Sequence, residues 1–252
     1  MVAVLAVVIA LIMVKVTESP ARASAATADA PVAREITSVP AATFNAVGAG
    51  PATGLRATSG QPELTLDGKP ELLYLGGQYC PYCAAERWAI AAALSRFGTL
   101  SGLQFIHSSP TDSYPDTPTL SFATARYTSK YLAFVPVEWY SETPGAATPT
   151  GYAYLQQPTP QQAALFAKYG GAFPFVDIGN QYLVPEAQYL PSALAGLSWA
   201  QVAAAMRDPS SAVGQDIDGA ANMITAAICK LTHGQPAAVC ASAGVAAASG
   251  SI

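Results

Sequence analysis

Cys80 and Cys83 are the residues whose types and spacing point most directly to chemistry. They enclose Pro81 and Tyr82, follow an apolar run and precede an alanine-rich stretch. A thiolate is the nucleophile of disulfide exchange, and the free amide groups and partial positive charge at a helix start lower the pKa of a thiol placed there. Pro81 suits the first turn of a helix. We therefore expect Cys80 to attack a substrate and Cys83, one turn further in, to resolve the mixed disulfide.

Two other interpretations of this pair remain open at this point. A purely structural disulfide between Cys80 and Cys83 would close so small a loop that it would constrain the chain little. A zinc site would need Cys229 together with His233 or Cys240, and the sequence lacks the second closely spaced ligand pair typical of such sites. Redox activity is therefore favoured, and it requires neither a metal nor an organic cofactor.

The segments on either side of the pair predict the elements that position it. Residues 64–66 and 71–75 are apolar runs separated by Asp67-Gly68, which is a strong hairpin signal. Helical spacing begins at Pro81 and ends near Gly98, and residues 103–107 indicate a further strand. We therefore expect a βαβ unit with parallel strands and a right-handed crossover.

A second hairpin is predicted downstream, where residues 173–178 and 181–184 flank Gly179-Asn180. Pro174 stands at the first residue of its leading strand, a position that tolerates proline. Residues 108–160, which are rich in Pro, Thr and Tyr, are expected to form an insertion, in which the apolar alternation of residues 131–139 indicates a candidate strand that Pro136 interrupts. Helices are predicted at residues 161–169, 198–207 and 214–231.

Composition excludes one class of partner and indicates a location. The chain has 252 residues, 11% charged and 51% apolar, with a net charge of −4, so nothing favours a nucleic-acid partner. Residues 1–15 are typical of a signal anchor, although a cleaved secretory signal or a soluble helix is also compatible. Residues 16–42 are expected to be a flexible linker, residues 43–240 one domain and residues 241–252 a disordered tail. The domain is therefore expected outside the cytoplasm, tethered to the cell membrane by a single pass.

The order of these motifs resembles the thioredoxin superfamily over residues 62–207, since a CxxC at a strand-to-helix junction is followed by a proline before an antiparallel hairpin. The resemblance implies an α/β three-layer fold with a central mixed sheet flanked by helices. It also implies a cis peptide before Pro174 and a substrate-binding role for Phe173 and Pro174. Two residues differ from the superfamily pattern: Tyr74 stands where a buried Asp is usual, and Tyr79 where a Trp is usual. We therefore do not expect fast reduction of protein disulfides of the thioredoxin kind.

Three short blocks resemble, more narrowly, the family called domain of unknown function 929. They are Tyr-Cys-Pro-Tyr-Cys-Ala-Ala-Glu-Arg-Trp at residues 79–88, Thr-Pro-Thr at 117–119 and Phe-Val-Pro-Val-Glu at 134–138. This resemblance implies no particular substrate, so function has to be argued from the site.

The remaining candidate residues receive more ordinary assignments. Cys229 and Cys240 are expected to form a structural disulfide, with a second redox pair that passes electrons to Cys80 as the alternative. Tyr79 and Tyr82 flank the cysteines and could shape substrate access. Trp88 is expected in the core and His107 at a strand end. Glu86 and Arg87 are expected as a solvated pair, with tuning of the thiolate as the alternative, and Asp177 as an exposed strand residue, with an approach to the site from the neighbouring strand as the alternative.

Together these features predict a thiol–disulfide oxidoreductase that acts on cell-envelope or secreted proteins, with a membrane redox partner as a further possibility. The alternative is a redox-inert thioredoxin-like module that binds a protein partner through the Tyr-rich insertion. An inert module would have no low-pKa thiol at Cys80, so thiol reactivity separates the two functions.

Overall fold

The structure, a computed structural model, describes residues 30–252. The strands are β1 Arg56–Ala57, β2 Thr65–Leu66, β3 Lys69–Gly77, β4 Thr99–Ser101, β5 Gln104–His107, β6 Pro118–Ser121, β7 Arg126–Thr128, β8 Ala133–Pro144, β9 Tyr152–Tyr154, β10 Phe175–Ile178 and β11 Tyr182–Val184. The helices are α1, described over residues 30–37, α2 Ala41–Val47, α3 Pro81–Ser95, α4 Pro160–Lys168, α5 Trp199–Ala205, α6 Ala212–Leu231, α7 Ala237–Cys240 and α8 Ala243–Ser249, with a 3-10 helix at Pro191–Leu194.

A mixed sheet forms the centre of the fold, with strands in the order β1-β11-β10-β3-β8-β9 and β2 paired to the start of β3. Strand β3 runs parallel to β8 and antiparallel to β10. Both faces of β3 are covered, which explains why its apolar run is continuous rather than alternating. Leu72 and Tyr74 belong to the core on the side of α3 and α6, while Leu73 and Leu75 face the apolar residues of α4.

Both predicted hairpins are present. Asp67 and Gly68 have φ of 51° and 72°, and Gly179 and Asn180 have φ of 62° and 59°. Two central residues with positive φ give the turn whose twist matches that of the flanking strands, which is why Asp-Gly and Gly-Asn occur there. The prediction of a mixed α/β fold with helices on both faces of a central sheet is therefore confirmed.

The predicted βαβ unit is wrong in its last strand. Residues 104–107 form β5, which pairs antiparallel with β6 in a separate two-stranded sheet, and the parallel neighbour of β3 is β8. Strand β8 offers buried apolar residues, whereas Gln104 and His107 of β5 are exposed. Pro136 does not prevent this pairing, because β9 meets β8 only from about Tyr140 onwards and Pro136 lies where the outer edge is unpaired. The segment 108–160 is therefore not a simple insertion, since it supplies a central strand.

The predicted linker and tail also differ from the structure within residues 30–252. Ile36 of α1 is fully buried and Phe44 of α2 packs beneath Arg96, so the ordered domain begins before residue 43. At the other end, Val245 and Ala248 of α8 are buried. The Ala- and Gly-rich composition serves close helix packing, since a side chain at Gly244 would overlap the Phe44 carbonyl oxygen.

The predicted membrane segment at residues 1–15 and the first part of the linker, residues 16–29, lie outside the described residues. Within residues 30–252, no helix has the length and apolar character required to cross a bilayer.

Candidate active site

The two cysteines occupy different environments at the junction of β3 and α3. Cys80 is the N-cap of α3, with φ −75° and ψ 121°, and Pro81 is the first helical residue. Both cysteines are free thiols, and the Cys83 amide donates a hydrogen bond to Cys80 Sγ at 3.3 Å. Cys80 is 7% exposed and Cys83 is fully buried. Cys80 is thus the thiol nearer to solvent and Cys83 lies behind it, which is the order that the CxxC sequence predicted.

Their thiol pKa values are displaced in opposite directions. Hydrogen bonding from Cys83 lowers the pKa of Cys80 and outweighs the opposing effect of burial, and the positive charge of Arg87 lowers the pKa further. Burial raises the pKa of Cys83 well above its ordinary value. Of the two thiols, Cys80 is therefore the one whose environment favours the thiolate.

A tyrosine hydroxyl lies beside the buried thiol of Cys83. Tyr74, six residues before Cys80, is fully buried, and its Oη has no hydrogen-bond partner among the described residues. A side chain at Gly76 would overlap Tyr74 Oη and would lie 3.1 Å from Cys83 Sγ, so both atoms border the space that glycine leaves free. Burial raises the pKa of Tyr74 well above its ordinary value, which keeps the phenol neutral and able to donate a hydrogen bond.

A buried ion pair supports the helix that carries the cysteines. Arg87 donates to Glu138 through Nε at 2.9 Å and Nη2 at 2.8 Å, and Nη2 also donates to the Gly77 carbonyl at 2.7 Å. Glu138 further accepts the Phe122 amide at 2.9 Å. Both charged side chains are fully buried, and the guanidinium lies 5.7 Å from the centre of the Tyr74 ring. Arg87 thus joins α3 to β3 and β8 and places a positive charge next to the thiols.

The prediction of a solvated Glu86–Arg87 pair is wrong. Adjacent positions on a helix point in different directions, so Arg87 turns toward β8 while Glu86 accepts the Gln188 amide at 2.9 Å. Both are fully buried, and burial raises the pKa of Glu86 to about 7. The prediction for Asp177 is wrong too: it is buried, burial raises its pKa to about 6, and it opposes Leu73 on β3, two positions further from the cysteines than Leu75.

An aromatic cleft of about 470 Å³ opens beside Cys80. Three of the predicted substrate-contact residues, Tyr79, Tyr82 and Phe173, line it together with Cys80. The peptide bond between Phe173 and Pro174 is cis, as predicted. Pro174 itself is not part of the lining but directly precedes Phe175, which pairs with Leu75 near the end of β3. The structure therefore brings the Pro174 loop and the cysteines to the same edge of the sheet.

Several cleft residues were not predicted from the sequence. Three aromatic ones, Trp139, Tyr140 and Phe166, come from β8 and α4, and Asp112 comes from the loop after β5. Tyr152 of β9 supports the cleft from behind, since its ring stacks on Tyr79 with 4.1 Å between centroids. The density of tyrosine in residues 108–160 was a signal for Tyr140 and Tyr152, but it did not indicate which rings would meet, and it does not extend to Phe166.

The second pair of cysteines lies elsewhere. Cys229 and Cys240 form a disulfide with a Cα–Cα distance of 5.6 Å that joins the end of α6 to α7. Leu231, two residues later, packs against Gly179 in the turn after β10, at the end of the sheet opposite to Cys80. This position gives no support to a relay of electrons from this disulfide to Cys80. Among residues 30–252, no group of three or more His, Cys, Asp or Glu side chains is placed to hold a metal ion.

The two remaining assignments concern the core and a strand end. Trp88 is fully buried and its Nε1 donates to the Pro118 carbonyl at 3.0 Å, which confirms it as a core residue. His107 ends β5 as predicted, and its ring packs on Trp199 with 4.8 Å between centroids.

Comparison of the chain with curated proteins and with solved structures gave no match. A family model does match, and it covers the cysteine pair, the Arg87–Glu138 ion pair and the Pro174 loop within residues 57–230. The chain therefore belongs to the family described as domain of unknown function (DUF929).

Proposed function

We propose that this protein is a thiol–disulfide oxidoreductase whose reactive group is the Cys80–Cys83 pair. The observation that carries the proposal is the asymmetry of the pair: Cys80 caps a helix, accepts an amide hydrogen bond and borders an open cleft, while Cys83 is buried behind it. In the reducing direction, the Cys80 thiolate attacks a substrate disulfide and expels one substrate thiolate. Cys83 then attacks Cys80, releases the second substrate thiol and leaves a Cys80–Cys83 disulfide, so that two electrons pass to the substrate.

We also infer a relationship to the thioredoxin superfamily. Strand β3 leads into the CxxC helix, β8 runs parallel to it on one side, and the β10–β11 hairpin is antiparallel on the other. A cis-proline loop precedes β10, at the edge of the sheet where the cysteines lie. The relationship is supported by the combination of strand directions, motif order and the position of the proline. None of these features would support it alone.

The substrates we propose are protein thiols and disulfides, exchanged without a metal or organic cofactor because the two thiols hold both electrons. We place the domain outside the cytoplasm, tethered to the membrane by the N-terminal segment. The Cys229–Cys240 disulfide supports this location, since structural disulfides persist in oxidising compartments. A membrane redox partner would restore the pair after each turnover.

The test is the reduction potential of the Cys80–Cys83 pair, measured against dithiol buffers with Cys80→Ser as the control. A potential near or above about −180 mV would indicate an oxidant or isomerase, and one near about −270 mV a reductant. Cys83→Ser should accumulate a mixed disulfide at Cys80, because the resolving thiol is missing. If the wild-type pair neither exchanges with the buffer nor is alkylated after reduction, the protein is a redox-inert binding module and the proposal is wrong.

A further inference from the structure

The aromatic cleft is preformed and leads directly to the reactive sulfur. Phe166 and Phe173 stack with 5.0 Å between ring centroids, and the Trp139 ring meets Phe166 edge-on at 5.6 Å. Tyr140 meets Phe173 edge-on at 6.1 Å. Because these rings hold each other in place, an apolar group that enters the cleft gains contact area without first having to order its walls.

The charge at the cleft is negative only, among the described residues that line it. Asp112 lines it, and no Lys or Arg is among the described residues that do so. The nearest buried cation, Arg87, is already committed to Glu138 and to the Gly77 carbonyl. A substrate with carboxylates close to its disulfide would therefore meet repulsion and no compensating ion pair, whereas a neutral or basic one would not.

The rim of the cleft also offers free backbone groups. Phe173 makes no hydrogen bond to another backbone group within residues 30–252, although it directly precedes the paired strand β10. An extended polypeptide can pair with such a segment, and alternate side chains of that polypeptide then point into the adjoining cleft.

We propose that the aromatic cleft is a specificity site for polypeptide disulfides in which an aromatic or large aliphatic side chain lies next to the attacked cysteine. Small acidic disulfides such as glutathione disulfide are correspondingly poor substrates. This inference rests on the proposed function, since it names the substrate class of the Cys80–Cys83 pair. The ring-lined walls and the lone carboxylate of Asp112 determine the preference, and Cys80 performs the exchange.

The test uses reduced wild-type protein and a set of short peptides that each contain one cysteine in mixed disulfide with thionitrobenzoate. The Cys80 thiolate attacks the peptide sulfur and expels the coloured thionitrobenzoate anion, and Cys83 then displaces the peptide thiol and forms the Cys80–Cys83 disulfide. Only the residue before the peptide cysteine differs: Trp, Leu, Ser or Glu. We expect the second-order rate constant for the Trp and Leu peptides to exceed that for the Ser peptide at least about tenfold, and the Glu peptide to be slowest.

Variants locate the preference in the cleft. Phe166→Ala should reduce the Trp-over-Ser ratio several-fold, and Asp112→Asn should speed up the Glu peptide selectively. Phe105→Ala is the matched control, because Phe105 packs on Trp199 away from the cleft, and it should leave all four rates in the same ratio. Because the peptide series is measured on the wild-type protein first, a variant that folds poorly does not remove the test.

The possible outcomes separate the two proposals. If all four peptides react at equal rates, or if glutathione disulfide reacts as fast as the Trp peptide, the specificity proposal is wrong while the oxidoreductase proposal stands. If no peptide reacts and free thiols remain in the wild-type protein, the oxidoreductase proposal itself fails.

Discussion

The Arg87–Glu138 ion pair gives the sharpest prediction, because both charges are fully buried and each is held by the other. Glu138→Gln keeps the size of the side chain and an acceptor for the Phe122 amide but removes the negative charge. The guanidinium is then an uncompensated buried cation, which costs about 3–5 kcal/mol of unfolding free energy. Arg87→Met has a similar cost, because it leaves the buried Glu138 carboxylate without its partner.

The double variant Arg87→Met/Glu138→Gln should be far more stable than the sum of the two single losses. It contains no unpaired charge, and the Gly77 carbonyl, which loses the hydrogen bond from Arg87, keeps the one from the Cys80 amide at 3.2 Å. Its main defect is the buried side-chain amide introduced at position 138, whose N–H groups have no partner, at a cost of about 1–3 kcal/mol. Urea unfolding of the oxidised protein, followed by tryptophan fluorescence, measures this. With a slope near 3 kcal/mol per M, each single variant should unfold at a concentration at least about 1 M lower than the wild type.

The same variants test the electrostatic role of Arg87 at the thiols. Its charge lowers the pKa of Cys80, so Arg87→Met/Glu138→Gln should raise that pKa and slow alkylation at neutral pH. A rise of one unit in the pKa of Cys80 means that the thiolate is stabilised by about 1.4 kcal/mol less. If the reduced protein is destabilised by that whole amount, the reduction potential of the pair becomes about 30 mV more negative. Arg96→Met is the control, since Arg96 caps the other end of α3 and binds Asn222. Additive stability losses in the double variant, or an unchanged alkylation profile, would refute the reasoning.

Three further results are expected. Burial raises the pKa of Glu86 from 4.5 to about 7, so between these pH values the folded protein holds a proton that the unfolded chain has released. The unfolding free energy should therefore fall by up to about 3 kcal/mol as the pH rises through this range, and Glu86→Gln should abolish that part of the slope in urea titrations. Gly76→Ala should cost about 1–3 kcal/mol in the same assay and slow the resolving step, because its methyl group overlaps Tyr74 Oη beside Cys83. Replacing Cys229 and Cys240 by Ser should lower stability by about 2–3 kcal/mol without changing the potential of the other pair, and a shifted potential would instead indicate an electron relay.

The elements that local sequence determines were predicted well. The turns at Asp67-Gly68 and Gly179-Asn180 depend on backbone φ values that few residues tolerate, so two residues identify each of them. The same holds for the start of α3, where Cys80 precedes a proline suited to the first turn. In each case the information lies within a few consecutive residues.

Features that depend on contacts between distant parts of the chain were not predicted. Strand β5 has two apolar residues at its centre, but β8 is a longer segment with more apolar surface to bury against β3, and it therefore takes the position next to β3. The burial of Glu86 and Arg87 could not be inferred either, because Gln188 and Glu138, which satisfy them, lie far along the chain. Low sequence complexity in α8 concealed a packed helix, since small residues can indicate either fraying or close approach.

Strand β8 connects the electrostatics of the thiols with the aromatic cleft. Gly76 opposes Glu138 and Gly77 opposes Tyr140, so the register shifts and Trp139 is the extra residue of a bulge. In a regular strand, Trp139 and Tyr140 would face opposite sides of the sheet. The bulge allows both rings to line the cleft, while Glu138, one residue earlier, still reaches Arg87. A change in this register would disturb both the charge beside Cys80 and the shape of the aromatic cleft. Under the proposed function, residues 138–140 are therefore the segment in which reactivity and specificity are coupled.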